Sequence, residues 1–484
     1  MMKRTLLTTL VVLIFLSGSF GQTQTQTQTQ TQTQALTQNK TQSGAKLHSQ
    51  KNPVDQANRA DWFKEARFGM FVHWGLYSIL AGQYKGHNLP DTTFKYGNSW
   101  YAEWIQQRLE IPAKEYQELA TQFNPIHFDA DQWILEAKNA GMKYFVITAK
   151  HHDGFALWDS KVSTFDIANS PLKGRDILGE LAKACKKYGL KFGFYYSHWQ
   201  DWEHPGGDWP EWSKVKRSDA QFEKYWKEKS LPQVQELIQR YDPDLLWFDT
   251  WDEPNKITGH RRDELISLVR KYSPKCLING RIRYQGPGDD IDFLEMHDNQ
   301  YPEKILERPW QTPATMVHSW GWHATDYSWK PATEMLGYLV SNTAKGGNYL
   351  LNVGPMPDGR IPVAAVHRLR EMGGWLVANG AAVYDTKPLK GVSAPSGVVF
   401  TESNKKKGDR EIFVSIIKPL TTGALILPFN QSDVISCNML ETGQPVEFTE
   451  ATAHAVKLKL SKAQLSMADG IPVISLRLKN ELDK

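Results

Sequence analysis

Helix-like and strand-like segments alternate through the middle of the chain. DADQWILEAKNAG (129–141) begins on an aspartate suited to cap a helix, ends on a glycine and precedes the apolar run KYFVITAK. The same order recurs with DILGELAKACKKYGL (176–190) before KFGFYYS, LPQVQELIQRYDPD (231–244) before LLWFD, and RRDELISLVRKYSPK (261–275) before CLINGR. Continuous apolar strands between helices predict βαβ units and a parallel sheet. The pattern fits both a doubly wound sheet and a (β/α)8 barrel.

Polar or aromatic side chains follow the strand-like runs. FGMFV leads to His73, YFVITAK to His151 and His152, KFGF to Tyr195, LLWF to Asp249, CLING to Arg281, TMVHS to Trp320 and NYLL to Asn352. In a (β/α)8 barrel the carboxyl ends of the strands converge on the face that carries the chemistry. No G-x-G-x-x-G or Walker-type loop follows an early strand, which removes the commonest nucleotide-binding interpretations. The sequence therefore favours a (β/α)8-like TIM barrel with one cleft.

After about Pro388 the helical periodicity stops. Short alternating runs follow, with the sequences GVVFTES, EIFVSIIK, ALILPF, AVKLKL and VISLRL, and polar turn residues separate them. This pattern predicts a small C-terminal β-sandwich at 389–484, behind a catalytic barrel at 51–388. Because the sandwich segment has no concentration of reactive residues, we expect it to pack against the barrel, with weak carbohydrate contact as the alternative.

The N-terminal 50 residues have a different character. Residues 1–21 combine Lys3-Arg4, an apolar stretch and small residues, which is typical of a secretory signal peptide. Residues 22–50 begin with a Gln/Thr repeat that cannot bury a core and reads as a low-complexity tether. No other segment reaches about 18 apolar residues, so no membrane span is expected. The sequence predicts export to a periplasm or to the extracellular space.

Composition narrows the class of partner. The chain carries 57 Lys+Arg against 53 Asp+Glu and has no basic block, so nucleic acid is not an expected partner. Three widely spaced cysteines imply neither a disulfide framework nor a zinc cluster. The 18 Trp, 18 Tyr and 20 Phe favour a sugar-binding cleft, because pyranose rings present apolar C–H faces to aromatic side chains.

Several motifs carry a resemblance to a known family. They are RFGMFVHWGLYS (67–78), YAEW (101–104), FNPIHFDADQW (123–133), TAKHHDGFALW (148–158), FGFYYS (192–197), LLWFD (245–249), SWGW (319–322) and GGNYLLNVGPMPDG (346–359). Together, in unbroken order over roughly 51–390, they resemble the α-L-fucosidases of glycoside hydrolase family 29. The resemblance implies a barrel with a C-terminal β-sandwich. It also implies a retaining exo-α-L-fucosidase that removes terminal α-L-fucose from glycans or glycoconjugates without a cofactor or metal.

The resemblance assigns Asp249 as the nucleophile. A retaining glycosidase needs two carboxyl groups about 5–5.5 Å apart, one ionised to attack the anomeric carbon and one protonated to release the leaving group. A strand end fixes the backbone of Asp249, whereas Asp252 and Glu253 lie beyond it in the loop. The alternative is that Asp249 only caps the next helix.

The general acid/base is expected in DFLEMHDNQYPEKILERPWQ (292–311). The family places an acidic residue four positions before a proline, which here is Asp298 before Pro302, and Glu295 and Glu303 are its rivals. Gln311 stands where many family members have Glu, and an amide cannot transfer a proton. If position 311 held the essential carboxylate, the chain would be an inactive, fucose-binding relative.

The resemblance also implies a fucose pocket. Its predicted substrate-binding residues are His73, Glu103, Trp104, His151, His152, Tyr195, Arg281 and Trp320. Imidazoles and a carboxylate suit the ring hydroxyls, and the methyl group of a 6-deoxy sugar suits an apolar wall such as Trp320. His198, His297 and His318 have no counterpart in the motifs and are interpreted as supporting or surface groups.

A different class, a metal-dependent barrel hydrolase, would use His73, the His151-His152-Asp153 run and Asp249 as ligands. Adjacent residues on a strand point to opposite faces, so two consecutive histidines bind one ion only when the strand has already ended. This geometric argument disfavours the metal hypothesis.

Overall fold

The computed structural model describes residues 58–210, 213–249, 256–286, 288–405, 408–420, 422–468 and 470–480. The predicted signal peptide and tether (1–50), and the loop carboxylates Asp252 and Glu253, lie outside the described residues. A search of the described residues found no helix long and apolar enough to cross a membrane.

In the part of the chain that the structure describes, eight parallel strands form the central barrel. They are β1 (Phe68–Val72), β2 (Tyr144–Lys150), β3 (Lys191–Tyr196), β4 (Leu245–Phe248), β5 (Leu277–Ile278), β6 (Leu294–Glu295), β7 (Trp310–Thr315) and β8 (Asn348–Val353). Each strand pairs with its neighbour in chain order, except that β5 and β6 are joined by one parallel bridge, Asn279–Phe293. Because β1 also pairs with β8, the sheet closes into a cylinder. The predicted (β/α)8-like barrel is confirmed.

The principal helices of the barrel domain pack around the outside of the cylinder. They are α1 (Ala130–Asn139), α2 (Ile177–Tyr188), α3 (Leu231–Tyr241), α4 (Gly259–Tyr272), α5 (Ala332–Ala344) and α6 (Val363–Asn379). Asp129 and Asp176 cap α1 and α2 by accepting backbone N–H groups, as the sequence predicts. Helix α3 continues without a break from the helix Asp219–Tyr225 through a π-helical turn, Trp226–Ser230.

Both faces of the barrel strands are buried. Met70 and Val72 of β1 join the cluster under the helices, whereas Phe71 points inward and packs with Trp247 of β4 and Leu350 of β8. Burial on both faces explains why the strands read as continuous apolar runs. Phe63, from the short helix Asp61–Ala66, extends the inner cluster at the amino ends of the strands.

Among the described residues, eight further strands form the C-terminal β-sandwich. They are β9 (Thr386–Pro388), β10 (Val398–Ser403), β11 (Arg410–Ile416), β12 (Ala424–Leu427), β13 (Val434–Met439), β14 (Glu447–Thr452), β15 (Ala455–Lys459) and β16 (Val473–Leu478). The sheets β9-β10-β11-β16-β13 and β12-β15-β14 share one apolar core, which confirms the predicted sandwich. Strands β9, β13 and β14 are not among the runs that the sequence indicates. The Trp375 indole N–H of α6 donates to the Ile471 carbonyl, 2.8 Å away, and ties the sandwich to the barrel.

Two barrel strands differ from the sequence expectation. The strand before Trp320 is Trp310–Thr315 rather than TMVHS, and β6 was not expected as a strand. Pro313 lies inside β7, where a missing N–H normally breaks a sheet ladder. It is tolerated because β6 pairs with β7 only at Trp310 and Gln311, while the Pro313 carbonyl accepts the Asn299 N–H at 2.9 Å.

Candidate active site

The carboxyl ends of the strands surround one cavity of about 320 Å³. Its lining residues are Phe71, His73, Tyr101, Glu103, Trp104, Arg108, His151, Tyr195, Trp247, Asp249, Arg281, His297, Asp298, Gln300 and Trp320. The structure thus brings every predicted site residue except His152 into the lining of one cavity. His152 lies beside it, with Nε2 3.5 Å from Asp249 Oδ2.

Asp249 follows β4 directly and has both carboxylate oxygens engaged. Arg281 Nη1 donates to Oδ1 at 2.8 Å, and the Tyr195 hydroxyl donates to Oδ2 at 2.7 Å. The backbone before it is fixed, because the Asn279 side chain exchanges two hydrogen bonds of 2.9 Å with the N–H and C=O of Phe248. These two donors, one of them a cation, favour the ionised carboxylate that a nucleophile requires.

Helix capping does not explain Asp249 among the described residues. The next described helix, α4, begins at Gly259, and its cap is Thr258, whose side chain accepts the Arg261 N–H at 3.3 Å. Asp249 lies nine positions before that cap and faces the cavity instead.

Arg281 joins the two predicted catalytic carboxylates. Its Nη2 donates to Asp298 Oδ1 at 2.6 Å and to the Met296 carbonyl at 3.0 Å, while Nη1 holds Asp249. The guanidinium also stacks over Trp247, 4.6 Å from the ring centre. Burial alone lowers the pKa of Arg281, but Asp298 and Asp249 more than offset this and the pKa lies above its usual value. A permanent cation therefore lies between the two acidic groups.

The two rival acids lie elsewhere. Glu295 is buried inside the barrel, where its Oε1 accepts the Gln311 amide at 2.6 Å, and the Tyr144 hydroxyl donates to Gln311 Oε1 at 2.7 Å. Glu303 is exposed, and neither Glu295, Glu303 nor Gln311 lines the cavity. The amide at position 311 thus leaves the carboxyl pair of the cavity intact.

Two of the cavity histidines, His73 and His151, are neutral. His73 Nδ1 donates to Asn352 Oδ1 at 2.7 Å, an orientation set because Asn352 Nδ2 donates to the Trp320 carbonyl at 2.7 Å. Burial lowers the pKa of His73 to about 3 and that of His151 well below its usual value. Neutral His73 therefore presents Nε2 to the cavity as a hydrogen-bond acceptor.

His152 has a defined tautomer as well. The Ser197 hydroxyl donates to the Gln200 carbonyl at 2.9 Å, so it accepts the Nδ1–H of His152, 2.6 Å away. Burial lowers the pKa of His152 to about 4. Its buried Nε2 has no hydrogen-bond partner in the described part of the chain and faces Asp249. An acceptor in this position suits a hydroxyl donor on a bound molecule.

Glu103 and Trp320 lie close together in one wall of the cavity. Glu103 Oε2 accepts the Gly321 N–H at 2.9 Å, and burial raises the pKa of this carboxyl to about 7. Position 321 has to be glycine, because a Cβ there would lie 2.9 Å from the Tyr77 ring and 3.3 Å from the Glu103 backbone nitrogen. The close approach holds Trp320 against His73, with ring centres 5.0 Å apart.

One trio has the donor atoms of a metal site. Ligand atoms of His151, His152 and Asp249 lie within 4.8 Å of one another, since both histidines follow the end of β2 at Lys150. The alternation argument against consecutive histidines therefore does not apply here. Electrostatics disfavours a cation at this point, because Arg281 already holds one oxygen of Asp249 and the Tyr195 hydroxyl donates to the other.

The sequence interpretation missed part of the lining. His297 was expected to be a supporting or surface group, yet it lines the cavity together with Gln300, on the loop that carries Asp298. Arg108 lies over the Trp104 ring at 5.2 Å. The signal for His297 and Gln300 was their position one before and two after the proposed acid. His318 does lie outside the cavity, against Trp100.

Comparison with known proteins decides the family. The family model described as Alpha-L-fucosidase matches residues 34–381. The chain belongs to the α-L-fucosidase family. This family assignment confirms the resemblance to glycoside hydrolase family 29 that the sequence motifs indicate.

Individual relatives agree with this family. The Alpha-L-fucosidase of Dictyostelium discoideum is 30% identical over 411 residues, which cover 78% of this chain and 82% of that protein. A family 29 α-L-fucosidase from Bacteroides thetaiotaomicron, solved as a trapped covalent intermediate with 2-fluoro-fucosyl fluoride, has a TM-score of 0.76 at 28% identity, covering 90% of this chain and 99% of that one. α-L-Fucosidase isoenzyme 1 from Paenibacillus thiaminolyticus has a TM-score of 0.73 at 31% identity, covering 88% and 100%.

Proposed function

We propose that this protein is a retaining exo-α-L-fucosidase that removes terminal α-L-fucose from glycans or glycoconjugates. The observation that carries the proposal is the contact of Arg281 with both Asp249 and Asp298 in a single cavity. The trapped covalent intermediate of the Bacteroides thetaiotaomicron relative supports a double displacement. A retaining glycosidase needs this pair of carboxyl groups.

In the first step Asp249 attacks the anomeric carbon of fucose. The new bond from its carboxylate oxygen forms as the glycosidic bond breaks, and protonated Asp298 gives its proton to the departing oxygen. The Tyr195 hydroxyl and Arg281 hold the attacking carboxylate in place.

In the second step water replaces the enzyme ester. Asp249 is esterified in the covalent intermediate, and Arg281 keeps Asp298 beside the anomeric carbon through the hydrogen bond from Nη2 to Oδ1. Asp298 then takes a proton from water, whose oxygen attacks the anomeric carbon and releases Asp249. Two inversions give net retention.

The buried end of the cavity suits a 6-deoxy sugar. His73 offers an acceptor and Glu103 a carboxyl group for the ring hydroxyls, and His152 lies directly behind Asp249. Phe71, Trp247 and Trp320 provide an apolar wall for the methyl group. This division of polar and apolar lining supports fucose over a sugar with a 6-hydroxyl.

The direct test is hydrolysis of 4-nitrophenyl α-L-fucoside by the purified protein, followed by NMR. Release of nitrophenol with α-L-fucose as the first anomer detected supports the proposal. Initial release of β-L-fucose would contradict retention, and no hydrolysis would contradict the activity. Unchanged rates after chelator treatment would distinguish this mechanism from a metal-dependent hydrolase.

We also propose that the protein is exported, with residues 1–21 removed as a signal peptide and residues 22–50 left as a tether before the barrel domain, which the sandwich follows from β9 (Thr386–Pro388) onward. The support is the sequence pattern of the first 50 residues. Fractionation of the source cells with N-terminal sequencing tests this. Intact Met1 on protein recovered from the cytoplasm would contradict export.

A further inference from the structure

The solvent exposure of the lining side chains increases from one closed end of the cavity to its open mouth. His73, Glu103 and Tyr195 are buried. The Asp249 side chain is 14% exposed, the Asp298 side chain is 37% exposed, and Gln300 is an exposed residue. If fucose occupies the closed end, the leaving group extends past Asp298 toward Gln300.

The loop at the mouth is held in one conformation. The Gln300 N–H donates to the His297 carbonyl at 2.9 Å, which makes 297–300 a tight turn. Asn299 (φ 55°) anchors the turn to β7, because its N–H donates to the Pro313 carbonyl and its Oδ1 accepts the Thr315 N–H at 3.0 Å. The Thr312 hydroxyl donates to the Gln300 carbonyl at 2.9 Å. His297 and Gln300 therefore keep a fixed position relative to Asp298.

We infer that His297 and Gln300 bind the leaving-group sugar and help to determine which fucosides are cleaved. This inference rests on the proposed function, in which Asp298 contacts the glycosidic oxygen. Both residues line the cavity in the same tight turn as Asp298, so they lie next to the side from which the leaving group departs. An imidazole and an amide can donate to and accept from hydroxyl or acetamido groups, so the ligand class is a neutral sugar.

The test compares a leaving group that reaches the loop with one that does not. The substrates are α-L-fucosyl fluoride and α-L-fucosyl disaccharides whose leaving sugar is galactose or N-acetylglucosamine. For His297→Ala and Gln300→Ala we expect kcat/KM on at least one disaccharide to fall about two- to twelvefold, which corresponds to the loss of one hydrogen bond. We expect the fall in kcat/KM on fucosyl fluoride to be clearly smaller than the fall on that disaccharide, because fluoride is too small to contact the loop and needs little acid assistance.

Matched controls are His318→Ala and Gln239→Ala, since both residues lie outside the cavity lining and Gln239 is exposed on α3. Both controls should hydrolyse all the substrates at wild-type rates, and melting temperatures check the fold of every variant. Equal losses on the fluoride and the disaccharides, or no loss on any disaccharide, would overturn the assignment. A wild-type protein inactive on every substrate would overturn the proposed function and this inference with it.

Discussion

Buried side chains in the sandwich are almost all apolar, whereas those at the carboxyl ends of the barrel strands include many ionisable groups. Ile412, Val414 and Leu476 are fully or almost fully buried in the sandwich, and the described buried polar groups there are hydroxyls such as Ser415. The barrel end buries imidazoles, carboxyls and a guanidinium around one cavity.

Buried side chains therefore have different roles in the sandwich and at the carboxyl end of the barrel. Apolar burial contributes folding free energy roughly in proportion to area. Burial of an ionisable group costs free energy unless the group is paired or neutral. Buried ionisable groups are therefore found mainly at sites where a reaction or a ligand requires them. Substitutions in the sandwich should change stability with little effect on chemistry, and substitutions in the barrel cavity should do the reverse.

The largest expected effect is on activity, in Asp249→Asn. The amide keeps the size of the side chain but cannot serve as the nucleophile, so kcat/KM on an aryl α-L-fucoside should fall by roughly 10⁴-fold or more. The melting temperature should stay within a few degrees, as measured by calorimetry. Substantial activity combined with a clearly lower melting temperature would show that Asp249 is structural.

Asp298→Ala should reduce activity in a way that depends on the leaving group. Hydrolysis of natural glycans should fall by about 10²- to 10⁴-fold, and hydrolysis of 4-nitrophenyl fucoside should fall less, because nitrophenolate needs little protonation. Azide should restore part of the turnover and yield fucosyl azide of unchanged anomeric configuration.

Glu303→Gln is the matched control for this prediction, because Glu303 is exposed outside the cavity lining. It should leave all rates unchanged. If Glu303→Gln or Glu295→Gln gives the leaving-group pattern and Asp298→Ala does not, the acid assignment is wrong.

The opposite half of the comparison is tested by Leu458→Ala in the sandwich. Leu458 has no exposed surface and packs in the core between the two sheets. The substitution should lower the free energy of unfolding by about 2–5 kcal/mol. Denaturant titration measures this, and kcat per folded molecule should be unchanged. A loss of kcat without a loss of stability would break the proposed separation.

The smallest expected effect is a pH dependence of the free energy of unfolding, caused by buried ionisable groups at the carboxyl ends of the barrel strands. Burial lowers the pKa of His198 to about 3, and its ring nitrogens have no hydrogen-bond partner among the residues described. Between about pH 6.5 and 3 the unfolded chain binds the proton that folded His198 excludes, so stability falls as pH falls through this window. His73 and His152 act with the same sign.

Glu103 acts with the opposite sign, because its raised pKa of about 7 makes stability fall as pH rises from about 4.5 to 7. The variant His198→Leu removes one imidazole and should flatten the dependence of melting temperature on pH between 6.5 and 4. An unchanged slope would mean that the other groups, not His198, carry the acid sensitivity.

The pattern of apolar and polar residues was sufficient to predict the long strands and helices of the barrel. The runs around β1 to β4 are apolar on both faces, and the caps Asp129 and Asp176 lie where the pattern predicts. Since the polar residue after an apolar run marks a strand's carboxyl end, the placement of Asp249 at the cavity also followed from the pattern.

Short elements gave no such signal. Strand β6 has two residues, too few for any periodicity, and β7 contains Pro313, which normally argues against a strand. His297 was consequently interpreted as a supporting or surface group, although hydrogen bonds from its loop to β7 hold it at the cavity. Tertiary pairing, which local sequence does not encode, determines these positions.

The single bridge between Asn279 and Phe293 has a consequence for motion. Every other neighbouring pair of barrel strands shares at least two registered residues, so this seam should open at the lowest free energy and exchange its amide hydrogens fastest among the strands. Arg281 follows β5 and Asp298 follows β6, on the two sides of the seam, whereas Asp249 belongs to the well-paired β4. The Arg281 side chain spans this seam, since it donates to Asp298 and to the Met296 carbonyl on the far side, so opening of the cylinder here would have to break the contacts that hold the acid in place.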